Sequence, residues 1–147
     1  MRKEVAALVG TAALALPNLN AVAAISRSTS STAKTKTVVA TKSFTGTPGQ
    51  ADRWGEVEVT IVVKKTTTTN PTTKKKTVKR KITAVKVPIY PNHTDRSVFI
   101  NQTALPILIQ ETLKAQSTGI DMISNATDTS MGFQQSLQSA ILKAKAW

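Results

Sequence analysis

The sequence contains no cysteine. That excludes disulfide staples, thiolate metal sites, a cysteine nucleophile and a lipoprotein-type lipid anchor together. Histidine is nearly absent too: His93, in YPNHTDRS, stands alone. One imidazole without cysteine or clustered carboxylates makes neither a metal centre nor a catalytic triad, so His93 reads first as a loop residue. Long apolar runs are also missing. The longest, Val5 to Leu16, is roughly a dozen residues closed by Pro17, whereas a bilayer-spanning helix needs about 20.

That short run has a different meaning. Arg2 and Lys3 precede it and Ala21-Val22-Ala23 follows it, the three-part layout of a secretory signal peptide. The expectation is an exported, extracytoplasmic protein, secreted or in the cell envelope, with residues 1–24 as signal and cleavage after Ala23 or Ala24. An uncleaved signal would leave it membrane-associated. Residues 25–37, rich in Ser, Thr and Lys, have no apolar periodicity and read as a disordered linker. A folded domain is then expected over 38–147, a length that supports one modest core.

The chain is strongly basic, with 20 Lys and Arg against 8 Asp and Glu. Such a balance draws a protein to anionic polymers or membrane surfaces. Lys64, Lys65, Lys74, Lys75, Lys76, Lys79, Arg80 and Lys81 crowd one predicted hairpin. No stacking aromatics are interleaved with them, so no specific nucleic-acid partner is expected. Loose affinity for anionic cell-wall polymers is.

Within the domain, Val57, Val59, Ile61 and Val63 alternate with Glu56, Glu58, Thr60 and Lys64, which predicts a strand buried on one face. VKRKITAVKVPIY predicts a second strand whose apolar parity changes, reconciled by a bulge near Ala84. The Thr/Lys segment 65–77 between them reads as an enlarged, mobile hairpin tip. TVVATKSFTGT predicts a third strand, ended by a turn at Gly46 to Gly49. Leu105, Leu108, Ile109 and Leu113 predict one helix, with Thr103 capping and Pro106 in its first turn. Phe133, Leu137, Ala140, Ile141 and Ala144 predict another. The expected fold class is α+β: a small antiparallel sheet with an enlarged hairpin and two amphipathic helices on one face.

The segment IDMISNATDTSMGF, residues 120–133, holds more short polar side chains than a plain turn needs. Thr127 to Ser130 lie at the start of the last helix, where unpaired N–H groups favour an anion such as phosphate. Capping by Thr129 or Ser130 is the simpler account. Three Asn-x-Thr triplets, at Asn92, Asn101 and Asn125, match the glycosylation acceptor pattern.

FTG at 44–46, RWGEVEVTIVV at 53–63, KITAVKVPIYPNHTDRS at 81–97, INQTALPILIQETLKAQSTGID at 100–121 and SNATDTSMGFQQSLQSAI at 124–141 together resemble the small FMN-binding domain. Exported single-domain versions of it occur in bacteria, and it is similar to the flavin-carrying subunits of sodium-pumping NADH:quinone reductase and Rnf complexes. The resemblance implies an electron carrier rather than a substrate-converting enzyme, with FMN as cofactor. In the family motif D-x-x-[ST]-G-A-[ST], a flavin transferase links FMN through its phosphate to the final hydroxyl. Carried over, Asp121, Ser124, Asn125, Ala126 and Thr127 occupy the motif and Thr127 is the attachment residue. Ser124, Thr129 and Ser130 would be phosphate-side contacts, and His93, Arg96 and Ser97 would line the pocket. The implied partners are an FAD-dependent flavin transferase and a membrane-bound redox partner. Asn125 stands where the family has Gly, and Asn tolerates positive φ. Asp128 adds a negative charge beside the expected phosphate, so covalent and non-covalent flavin stay open. The alternative function is a basic protein binding anionic envelope polymers, its flavin site degenerate.

Overall fold

The computed structural model describes residues 34–147. The expected signal and most of the expected linker lie outside the described residues. Strand β1 spans Lys36–Thr45, β2 is Gly49–Gln50, a 3₁₀ turn covers Asp52–Trp54, β3 spans Glu56–Thr69 and β4 spans Lys76–Ile89. Helices α1 (Asp95–Ala115) and α2 (Thr127–Lys145) complete the chain. The fold class is α+β, as expected. β3 is central: β1 and β2 pair with it, and β4 also pairs with it. The β2 register, Gly49 with Val57 and Gln50 with Glu56, is antiparallel.

The alternation in β3 sets which face is covered. Val57, Val59, Ile61 and Val63 are buried while Glu58, Thr60 and Val62 between them are half-exposed. The buried set joins Phe44, Ile82, Leu105, Leu108, Phe133 and Leu137 in one core. Both helices therefore pack on the same face, and their stripes are those the spacing predicts. In β4 the buried residues Ile82 and Val85 stand three apart, so the strand changes parity between them, as the expected bulge near Ala84 requires.

Two contacts explain how α2 comes so close to the sheet. A Cβ on Gly46 would lie 1.9 Å from the Ser136 carbonyl oxygen, and one on Gly49 would lie 2.0 Å from that of Gly132. Glycine at both positions lets the chain between β1 and β2 rest on the helix backbone. The Val59 N–H, beside this approach, donates to the Ser136 Oγ at 2.8 Å, so a buried donor is satisfied across the layers.

Three local expectations are corrected. Helix α1 starts well before the point at which a Thr103 cap would place it. Thr94 is the N-cap, its Oγ1 accepting from the Ser97 N–H at 3.1 Å. Pro106 consequently lies inside the helix on an exposed position; with no N–H there, the Gln102 carbonyl loses its i+4 helical donor. The Thr/Lys hairpin segment is mostly strand: β3 continues to Thr69 and β4 resumes at Lys76. Threonine's branched Cβ suits extended backbone even where nothing is buried.

Within the connecting segment 68–77, taken by itself, Asn70 organises the turn. Its N–H donates to the Lys75 carbonyl at 2.9 Å, and its Oδ1 accepts from the N–H groups of Thr72 and Thr73 at 2.9 and 3.2 Å. Lys74 takes a positive φ of 56°.

Candidate functional site

Two regions answer to the two functional readings: a cleft at the helix N-termini and the sheet face away from the helices.

The cleft, of about 200 Å³, is lined in part by Trp54, Arg96, Ser97, Ile100, Asn125 and Thr127. The capping described above places Arg96 and Ser97 in the first turn of α1, and Thr127 opens α2. The starts of both helices thus meet at one opening. Asn125 has φ 68°, the left-handed conformation its side chain tolerates, and this turns the chain into Ala126, the N-cap of α2. No side-chain hydrogen bond caps α2. Arg96 and Asp128, both on the cleft wall, give it one cation and one anion.

The remaining expected residues fall apart. Ala126 and Thr129 line the cleft, but Asp121, Ser124, Ser130 and His93 do not. Asp121, Ser124 and His93 are exposed. Neither Thr129 nor Ser130 caps the helix, contrary to the simpler expectation. Thr129 Oγ1 donates to Asn101 Oδ1 at 2.9 Å, and Asn101 Nδ2 donates to the Pro91 carbonyl at 2.6 Å. Ser130 Oγ donates to the Ala126 carbonyl at 2.8 Å and accepts from the Ile123 N–H at 3.1 Å. These buried groups tie α2 to α1 and to the loop before it. Asn101, only 1% exposed, is therefore no glycan acceptor despite its triplet. Trp54 on the cleft wall escaped sequence reasoning, because only the fold brings the 3₁₀ turn to the helix ends.

The sheet face opposite the helices follows from strand parity. Lys64 on β3, Lys79 and Lys81 before the β4 parity change and Lys86 after it occupy this side, and all four are exposed. Hydroxyls stand among them. Thr45 and Thr60 oxygens lie 2.9 Å apart across β1 and β3, and Thr83 Oγ1 donates to the Val62 carbonyl at 3.1 Å. No Asp or Glu occurs between Glu58 and Asp95, a stretch with nine Lys and Arg residues. Two of the hairpin cations serve other ends: Lys65 donates to the Trp147 carbonyl and sits 4.9 Å from that indole's centroid, while Arg80 edges a separate groove between β4 and α2, which Lys81 also borders. Among the described residues the one salt bridge, Lys114 to Glu111, is on α1, away from this face.

Among the described residues no group of His, Asp or Glu is arranged to hold a metal, and no helix is long and apolar enough to cross a membrane. No protein-family model matches the chain, and no curated protein matches it.

Proposed function

We propose that this protein holds anionic polymers on the uncovered face of its sheet. The observation that carries this reading is that strand parity sets Lys64, Lys79, Lys81 and Lys86 on one exposed sheet face, within a stretch between Glu58 and Asp95 that has no acid. Like charges gathered on one face attract counterions, and a polyanion that displaces them gains the entropy of the released ions. The strand pair fixes the backbone positions from which the lysines project, which spares part of the ordering cost of binding. The test is retention on an anionic matrix. Replacing Lys79, Lys81 and Lys86 with Gln should lower the eluting salt concentration well below that of a variant carrying Gln at Lys114, Lys143 and Lys145. Equal losses from the two triplets would reduce the effect to net charge and remove the face from the explanation.

A second reading is favoured by Thr127 standing at the start of α2 with Arg96 and Ser97 on the same cleft wall. In it, the protein is an exported FMN-carrying electron-transfer protein with the flavin phosphate at Thr127. The residues fit the phosphate end: an uncapped helix N-terminus, one guanidinium and a hydroxyl. At about 200 Å³ the cleft is smaller than the roughly 300–1,000 Å³ of small-molecule pockets, so it has room for the phosphate end of FMN and not for the whole cofactor. Bound flavin would supply the redox chemistry, and Arg96 and Thr127 would hold its phosphate. Attachment would move FMN from FAD to Thr127 Oγ1 and release AMP. Intact mass after co-production with a flavin transferase decides it: added FMN less water in the wild type and none in Thr127→Ala supports the reading, and no addition in either rules out the covalent form.

A further inference from the structure

We infer that the polymer engaged by the uncovered sheet face is a nucleic-acid duplex, gripped through its phosphates and not read base by base. The inference rests on the polymer-binding reading above and narrows its ligand.

Three features of the face point this way. First, beyond the carboxylates of Glu56 and Glu58 at its β2 end, the polar groups of the face are ammonium and hydroxyl: Lys64, Lys79, Lys81 and Lys86 beside Thr45, Thr60 and Thr83. Lysine and Ser/Thr hydroxyls are regular partners of phosphate and sugar oxygens, and such contacts position a protein on nucleic acid without carrying sequence information. Second, the alternation that buries Phe44 and leaves Tyr90 half-buried beyond β4 puts no aromatic ring on the uncovered face. Proteins that hold single strands stack bases on aromatic side chains, so this face has nothing to offer an unpaired base. A duplex, its bases already stacked, loses nothing by that. Third, the lysines track a length of backbone, and the denser polyanion releases more counterions along it: Lys79 to Lys86, seven residues apart, cover about 23 Å of strand at roughly 3.3 Å per residue. A duplex presents one negative charge per ~1.7 Å of axis, twice the density of either strand alone.

The face also carries its own boundary. Glu58, half-exposed on the same side of β3, lies toward the β2 end, away from Lys64. It would repel a backbone running past Thr60, so Glu58→Gln should tighten duplex binding several-fold.

The test is fluorescence anisotropy of the full chain with a labelled 20-base-pair duplex of arbitrary sequence. Competitors are one of its strands, polyglutamate of matched charge and phosphatidylglycerol vesicles, measured at several salt concentrations. The expected result is duplex binding at least fivefold tighter than the single strand or polyglutamate, indifferent to sequence. Replacing Lys79, Lys81 and Lys86 with Gln should weaken it at least tenfold at 50 mM salt. The same variant should reduce the slope of log affinity against log salt by about 2 to 3. The triplet Lys114, Lys143 and Lys145 to Gln is the equal-charge control, and circular dichroism of each variant verifies folding. Single strand, polyglutamate or vesicles binding as tightly as duplex, with the face triplet still losing affinity, would overturn the duplex assignment and leave polymer binding standing. Equal losses from both triplets, or binding to none of the probes, would overturn both.

Discussion

Asn125 holds a φ of 68° in the turn before α2, a conformation costing most residues roughly 1–2 kcal/mol. Asn125→Gly should therefore leave stability within a few tenths of a kcal/mol. Asn125→Val should lose about 1 kcal/mol or more, read from the midpoint of urea unfolding. If the two variants unfold at the same midpoint, the turn is not what requires asparagine. Gly46 raises the opposite demand, for space and not for torsion. With a Cβ 1.9 Å from the Ser136 carbonyl oxygen, Gly46→Ala forces backbone apart. Overpacking of this kind costs typically 1–3 kcal/mol, and a backbone obstacle belongs at the upper end, about 3 kcal/mol. At Asn125 the sequence offers a residue that tolerates this torsion but does not require it. Gly46 is legible only as a turn residue: its real constraint comes from a helix distant in sequence.

At the scale of elements, the contact between α2 and β3 turns on Ser136, which accepts the buried Val59 N–H at 2.8 Å. Ser136→Ala removes that acceptor with little change in volume, and an orphaned buried donor costs about 1–3 kcal/mol. The loss should be visible in unfolding and as faster amide exchange at Val59, whereas Ser139→Ala, on a half-exposed turn of the same helix, should not accelerate that exchange. Helix α1 offers a gain instead. Pro106 lies inside it and exposed, so Pro106→Ala restores a backbone donor and a better helix former, with roughly 1–3 kcal/mol of stabilisation expected. A drop in melting temperature would mean the ring packs against a neighbour that matters. Periodicity identified the faces of these elements but misplaced their ends. The buried apolar stripe of α1 begins only at Ala104, while Val98, Phe99 and Ile100 before it stay half-exposed or exposed, and these first turns are held by the Thr94 cap and the Asn101 hydrogen bonds, neither of which leaves a periodic signature.

For the whole molecule, a net charge of +12 means that folding gathers cations that the extended chain keeps apart. Self-repulsion of this sort is screened by salt over about 10 Å at 0.1 M. The melting temperature should therefore rise between 20 and 200 mM sodium chloride, and the face triplet Lys79, Lys81 and Lys86 to Gln should flatten that dependence. A melting temperature that falls with salt would assign the balance to attractive pairs instead. The sequence alone determined the quantities that local chemistry carries: the basic excess, the α+β class, the inward parity of β3 and the stripes of both helices. Tertiary structure decided what depends on distant neighbours. It opposed the lysines of β3 and β4 to the helix-covered face, drew the starts of both helices to Trp54, and buried Ser130 away from the cleft while leaving Thr129 on its wall with the hydroxyl bonded to Asn101. A side chain's type is local, but its surroundings are set by chain segments far away in sequence.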